Sequence, residues 1–287
     1  MLGSQGPVLS GSALKYDKDC MKTPPEVRSP EHSGGVHLSR GVRLRIPAGG
    51  LVIGFGSNPS MGVTVEPQLD TCVHWLEIAL EHLAIARAAH ESMVAEVSDS
   101  QLLGGLLDRE FRASVQAAFA AATFFEALYA ATMERNPPKS APRRNPINRP
   151  TRFATVTEQL RRSFGLRKQG TAKLRSVLKE IYRFRDQAVH PSATFTKPVL
   201  HPTLRVGVEY RFVMFSAPSA EQLVRAALAF SKILPSRDLA RQPKGIQDLG
   251  AYLLAVCLPL YDRWEQLYGQ LLDSPSDATS LAAPTDV

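Results

Sequence analysis

Apolar residues recur every three or four positions along several long stretches of this chain of 287 residues. Between Leu69 and Val97 the repeat passes through Leu76, Leu80 and Leu83. Such spacing places apolar side chains on one face of an α-helix, which must then pack against other helices. The fold class that follows is mainly α, a helical bundle. We predict about six helices, over residues 69–97, 108–133, 153–164, 171–190, 219–234 and 246–272.

Two short segments show the patterns of β-structure. Val42 to Ile46 and Leu51 to Phe55 are joined by Pro47-Ala48-Gly49-Gly50, so a small hairpin can form within residues 42–55. Apolar residues alternate with other residues from Leu204 to Met214, which is typical of a half-buried strand. Thr194 to Leu200 can pair with that strand, so we predict a second β-hairpin within residues 194–215.

These elements divide the chain into three parts. Residues 1–66 are predicted to be a flexible N-terminal tail, because 1–36 are rich in Gly, Ser and Pro without periodicity. Residues 68–273 are predicted to be one helical domain, since a hydrophobic content of 44% can bury a sizeable core. We expect a disordered C-terminal tail over residues 274–287.

Cysteine usage and hydropathy favour the cytoplasm. Cys20, Cys72 and Cys257 are odd in number and far apart, which fits a reducing compartment. The longest apolar run, Leu249 to Tyr261, is too short to span a bilayer, and Met1 to Cys20 lacks the apolar core of a secretion signal. We therefore expect a cytoplasmic protein that is not inserted in a membrane.

An arginine interrupts the apolar face of the helix predicted over 171–190. On a helical projection from Leu174, Arg185 falls at roughly 20°, near the centre of an apolar arc of roughly 140°. Because a guanidinium does not lose its proton, burying one without a partner costs several kcal/mol, and it is tolerated only beside an anion. Arg185 is therefore a candidate phosphate-binding residue, although an arginine that reaches solvent past the apolar face gives the same pattern.

His190 precedes Pro191, and a residue before proline is driven out of the α region, so the helix should end there. Imidazole at a helix C-terminus can accept and donate protons near neutral pH, although such a histidine can also serve only as a cap. An arginine for phosphate and a titrating histidine, without a carboxylate cluster nearby, indicate metal-independent RNA cleavage. The imidazole would help the ribose 2′-hydroxyl attack phosphorus, and the guanidinium would stabilise the phosphorane oxygens.

The segment Arg185-Asp186-Gln187-Ala188-Val189-His190 resembles the Arg-x4-His motif of the HEPN superfamily, the higher-eukaryote and prokaryote nucleotide-binding domain. The resemblance implies a small helical bundle, a homodimer, and an RNase of toxin, phage-defence or RNA-processing type. It implies that Arg185 and His190 are catalytic, with Asp186 as the polar residue that positions them. Asp186 stands where the family more often has Asn, and Ser192 where some toxin members have Tyr.

Positive charge is concentrated before this motif. Residues 135–185 contain fifteen Lys and Arg but only two acidic residues, a net charge of +13, whereas the whole chain has +7. The remaining residues therefore sum to −6. This pattern predicts a polyanionic partner, RNA first, although a solvated basic loop that serves solubility is the alternative. The candidate RNA-binding residues are Arg143, Arg144, Arg149, Arg152, Lys179 and Arg183.

Glu126 is the candidate partner for Arg185. It falls on a mostly apolar stripe of the helix predicted over 108–133, where a carboxylate could orient Arg185 through a bidentate pair. The alternative is that Glu126 reaches solvent at the edge of the stripe.

No other pattern predicts a catalytic centre. The His and Glu residues of the first helix do not share one face, so we expect no metal site, and the glycines near residue 54 lack the context of a nucleotide-binding loop. We expect no cofactor. A homodimer is predicted because a histidine at +5 lies roughly 140° around a helix from the arginine, and a symmetric interface would supply both pairs to one cleft. An antitoxin or other partner protein is compatible with this interpretation. The alternative function is a non-catalytic RNA-binding or protein-interaction module.

Overall fold

A computed structural model of the chain describes residues 41–54, 60–95, 100–139, 150–190, 195 and 197–272. The described residues are mainly α-helical, which confirms the predicted fold class. The helices are α1 (Cys72–Ala95), α2 (Ser100–Arg135), α3 (Arg152–Ser163), α4 (Lys168–Val189), α5 (Tyr210–Met214), α6 (Ala217–Ile233) and α7 (Lys244–Tyr268). The strands are β1 (Val42–Arg45), β2 (Leu51–Gly54), β3 (Ser60–Val63), β4 (Glu66–Leu69), β5 (Val199–Leu200) and β6 (Gly207–Val208).

The helix α2 is the centre of the bundle. With 36 residues it is about 54 Å long. It packs along α1, α6 packs against both, α3 and α4 pack together on α2, and α7 packs on α6. The largest side chains in the core are fully buried between these helices. They include Phe124, Phe125, Phe164, Phe215 and Trp264.

The apolar periodicity of α4 determines which side of the helix faces the core. Leu174, Leu178 and Ile181 are fully buried, and Phe184 makes an edge-to-face contact with Phe215 at 5.6 Å between ring centroids. The helix ends at Val189, and His190 has the non-helical dihedrals φ −120° and ψ 65°. The helix therefore ends where the following proline requires it.

The first predicted hairpin differs from the observed pairing. β1 pairs with β4 and β2 pairs with β3, both antiparallel, so residues 42–45 and 51–54 do not pair with each other. A turn between β1 and β2 bends the chain without reversing its direction. In this turn Gly50 N–H donates to the carbonyl of Pro47 at 2.8 Å. Thr64 N–H in turn donates to the carbonyl of Gly50 at 2.6 Å. The result is a long two-stranded ribbon over residues 42–54 and 60–69.

The predicted strand from Leu204 to Met214 is wrong in its second half. Val199–Leu200 does pair with Gly207–Val208, but residues 210–214 form the short helix α5. The Glu209 side chain caps α5 by accepting from Arg211 N–H at 2.8 Å. Phe212 then packs on Phe111 at 5.0 Å between ring centroids. Local capping and this long-range contact override an alternation that is too short to fix a strand.

No helix of the described ranges has the length and apolar content that crossing a membrane requires.

His201 is fully buried in the loop between β5 and β6. Its Nδ1 accepts a hydrogen bond from Leu204 N–H at 3.2 Å. Burial lowers the pKa of His201; the nearby Glu110 carboxylate opposes this and His90 adds to it. The folded protein therefore disfavours imidazolium at this position more than the unfolded chain does.

We expect the stability of wild type to fall as pH decreases below about 6.5, because the unfolded chain then binds a proton that folded His201 does not. A His201→Asn variant keeps an acceptor for Leu204 and should show a smaller loss. Urea unfolding from pH 7.5 to 5.5 measures the slope, with His82→Asn on α1 as the control. Equal slopes for wild type and His201→Asn would contradict the prediction.

Candidate active site

Glu126 is the centre of a polar cluster formed by α2, α3 and α4. Arg152, the first residue of α3, donates its Nε at 3.0 Å to each carboxylate oxygen, and its Nη2 also binds Oε2. The hydroxyl of Tyr182 on α4 donates to Oε1 at 2.6 Å. Three helices that are distant in sequence thus converge on one carboxylate.

Arg185 extends from α4 into the same cluster. Its Nη1 donates to Glu126 Oε1 at 3.5 Å, while its Nε and Nη2 donate to Asp186 Oδ1 at 3.0 and 2.6 Å. The guanidinium carbon lies 4.6 Å from the centroid of the Tyr182 ring, a cation–π contact. The side chain is 27% exposed. Arg185 is therefore mostly buried but open to solvent on one side.

The contacts of Glu126 differ from those that the sequence predicts. The bidentate partner is Arg152, whereas Arg185 makes one long contact with Glu126 and its shortest contacts with Asp186. Arg152 follows the proline-rich segment, and nothing in its local sequence indicates a half-buried acidic partner on α2. Arg152 is thus partly committed to the structure and has less of its charge free for RNA than expected.

Electrostatics favours the carboxylate form of Glu126 and the neutral form of Tyr182. Burial raises the pKa of Glu126, but hydrogen bonds from Arg152 and Tyr182 and the charges of Arg152 and Arg185 outweigh it, so the pKa is lowered overall. Burial and the bond to Glu126 raise the pKa of Tyr182, so the phenol stays neutral and donates. Two carboxylates, those of Glu126 and Asp186, face two guanidinium groups.

His190 lies at the C-terminus of α4 and is exposed. Its backbone N–H donates to the carbonyl of Asp186 at 2.8 Å, which fixes the backbone of the last turn. Its imidazole takes no part in the hydrogen bonds around Glu126 described above. Within one chain, the structure therefore brings together the side chains of Arg185, Asp186 and Glu126, whereas His190 contacts Asp186 through the backbone.

The candidate RNA-binding residues fall into three groups. Arg143, Arg144 and Arg149 lie outside the described residues. Arg152 binds Glu126, as described above. Lys179 is exposed on α4, and Arg183, also exposed, pairs with Glu180 at 2.9 Å between Nε and Oε2 and lies 5.0 Å from the Phe184 ring centroid. The outer face of α4 thus carries exposed cations, whereas Arg185 lies on the side of the helix that faces the bundle.

Two tyrosines belong to the site although the sequence does not single them out. Tyr182 binds both Glu126 and Arg185, and Tyr129 lies under the Arg152 guanidinium at 4.3 Å. One feature of the sequence points to Tyr182. It lies three residues before Arg185 and therefore on the same side of the helix. A hydroxyl on an otherwise apolar face needs a hydrogen-bond partner, and an acidic residue is a suitable one.

Among the described residues, no three His, Cys, Asp or Glu side chains form a group that could hold a metal ion. Comparison of the chain with protein-family models, curated proteins and solved structures found no match.

Proposed function

We propose that the protein is a metal-independent endoribonuclease of the HEPN type, active as a cytoplasmic homodimer. One observation carries the proposal. Arg185, on the last two turns of α4, is held in one orientation by Glu126 and Tyr182 yet remains 27% exposed, and His190 ends the same helix. A fixed, accessible guanidinium and an exposed imidazole are the groups that phosphate chemistry on RNA requires.

The chemistry assigns a role to each group. His190 of one protomer accepts the proton of the ribose 2′-hydroxyl as its oxygen bonds to phosphorus. The bond from phosphorus to the 5′-oxygen breaks, and His190 of the second protomer protonates that leaving oxygen. Arg185 stabilises the charge on the non-bridging oxygens, and Asp186 orients Arg185. The products are a 2′,3′-cyclic phosphate and a free 5′-hydroxyl.

The resemblance to HEPN RNases also implies a biological setting. RNases of this type act in toxin–antitoxin and phage-defence systems, where an antitoxin or partner protein restrains them. The exposed cations of α4, Lys179 and Arg183, lie on the outer face of the helix, roughly 120° and 160° around it from Arg185, and are suited to the RNA backbone.

A second candidate function is a non-catalytic RNA-binding or protein-interaction module. It is favoured by the contacts of Arg185 with two carboxylates, which neutralise much of its charge. In that case phosphate would have to displace Asp186, and Arg185 would serve mainly to hold α4 against α2.

The test is RNA cleavage in excess EDTA by wild type and His190→Ala, with end-labelled tRNA and total cellular RNA as substrates. Loss of a general acid–base group should slow cleavage by about 10² to 10⁴-fold. His82→Ala on α1 is the matched control and should retain full activity. Cleavage by wild type that leaves 2′,3′-cyclic phosphate ends supports the proposal. Intact RNA with folded wild type, or equal cleavage by His190→Ala, would overturn it in favour of the binding module.

A further inference from the structure

The β-ribbon formed by β1 to β4 packs on the bundle through its polar face. Arg43 and Gln68 lie opposite each other across β1 and β4. Gln68 Nε2 donates to Glu134 Oε2 at 3.1 Å, and Arg43 Nη2 lies 3.6 Å from the same oxygen. Because side chains alternate between the two faces of a strand, the neighbours Leu44 and Leu69 belong to the opposite face. The ribbon therefore turns apolar side chains away from the helices.

Seven large apolar side chains of the ribbon region are between 44% and 72% exposed. They are Leu44, Ile46, Leu51, Ile53, Met61, Val63 and Leu69. Leu51 lies opposite Val63 and Ile53 opposite Met61, so the outer part of the ribbon also has one apolar face. A two-stranded ribbon is at best marginally stable alone in water, and monomeric proteins rarely expose contiguous apolar patches of this size.

We propose that this apolar face is a dimerisation surface, and that its occupant is the same ribbon of a second copy of this chain. The seven side chains expose roughly 600 Å² in total, close to the ~800 Å² that each partner contributes to a standard interface. Homodimer interfaces are also more apolar than other protein interfaces. A two-fold axis would bring the apolar face of one ribbon against the same face of the ribbon in the second copy.

The charges of the ribbon favour a second copy over a charged partner. Arg45 pairs with Glu66 directly across β1 and β4, and Arg43 pairs with Glu134 of α2. Each of these ion pairs forms within one chain. The apolar face therefore presents no net charge that an oppositely charged partner would neutralise. An uncharged, apolar face is complementary to itself.

The position of the ribbon relates it to the candidate active site. Glu134 is eight residues after Glu126 on α2, which places it about 12 Å further along the helix axis and about 80° around it. The contact of the ribbon with α2 thus lies about two helical turns from the carboxylate that binds Arg185. Any effect on catalysis rests on the proposed function, but the dimer can be tested without RNA.

The experiment measures the mass of the full chain in solution by light scattering and sedimentation equilibrium. An Ile53→Lys/Met61→Glu variant makes both positions polar but keeps a favourable cross-strand pair. Leu258→Lys/Leu267→Glu on α7 is the control, because both leucines are 56% exposed outside the ribbon. Wild type and control should have twice the 31.4 kDa of one chain. The ribbon variant should be monomeric, with its dissociation constant raised by about 100-fold or more.

Hydrogen exchange of wild type at two concentrations keeps the proposal testable if the variant fails to fold. Amides of residues 42–54 and 60–69 should exchange more slowly at the higher concentration. Wild type that stays monomeric at about 100 μM, a ribbon variant that remains dimeric, or exchange independent of concentration would each overturn the proposal. A dimer that does not cleave RNA would refute the proposed function alone. A monomer that cleaves RNA would refute the ribbon dimer and the two-protomer mechanism, but not the RNase activity.

Discussion

An Arg185→Ala variant is expected to cleave RNA about a thousandfold more slowly than wild type, with the loss mainly in kcat. The guanidinium stabilises charge that appears on the phosphorane oxygens only in the transition state, so its removal slows chemistry more than it weakens binding. Folding should be preserved, because Glu126 keeps its bonds from Arg152 and Tyr182. We expect the free energy of unfolding to change by less than about 1 kcal/mol.

Single-turnover and steady-state kinetics on a defined RNA separate the two effects. Arg175→Ala is the matched control, since Arg175 is exposed on the same helix and its guanidinium carbon lies 5.9 Å from the Phe153 ring centroid. It should raise KM a few-fold and leave kcat intact. Arg185→Lys should recover little activity, because an ammonium lacks the planar fork of a guanidinium. A KM effect alone in Arg185→Ala would identify Arg185 as a binding residue without a catalytic role.

A Glu110→Ala variant is expected to lose about 3 kcal/mol of unfolding free energy. Glu110 is 1% exposed, and its Oε1 accepts from the backbone N–H of Ala217 at 2.7 Å and from His90 Nδ1 at 2.9 Å. Ala217 is the first residue of α6, and the Ser216 side chain does not cap that helix. The Glu110 carboxylate therefore supplies both the missing cap and a negative charge at the positive end of the helix dipole.

Urea unfolding measures the loss. Glu110→Gln retains an acceptor oxygen and should lose less than Glu110→Ala, whereas Glu91→Ala, whose side chain is 66% exposed on α1, should stay within about 0.5 kcal/mol of wild type. The m-value should not change, since the same surface is exposed on unfolding. If Glu110→Ala were as stable as Glu91→Ala, the buried carboxylate would not hold α6 to α2.

Helix periodicity in the sequence predicted six of the helices, five of them closely, whereas α2 begins at Ser100, eight residues before the predicted start. The stretch assigned to 171–190 is α4 at Lys168–Val189, and the stretch assigned to 153–164 is α3 at Arg152–Ser163. Long helices repeat their apolar face many times, so the signal is redundant. Residues 210–214 offer only five positions, too few to distinguish a spacing of two from a helical turn, and here the prediction of a strand failed.

The sequence predicted only those features of the candidate site that depend on a single helix. The sequence places Arg185 on the buried side of α4 and ends that helix at His190, because both features follow from spacing along a single element and from proline geometry. The pairing of Arg152 with Glu126 spans 26 positions, and that of Tyr182 with Glu126 spans 56. Neither pairing leaves a local pattern in the chain.

The sequence by itself determined the six long helices, the end of α4 and the concentration of positive charge before the motif, since each of these depends on neighbouring residues. Only the tertiary structure decided which carboxylate holds which arginine, that Glu110 caps α6 from 107 residues away, and that the ribbon turns its apolar face outward. Polar partners of this kind are selected by the packing of whole helices. A single hydrogen bond contributes too little to impose a signature on the sequence around it.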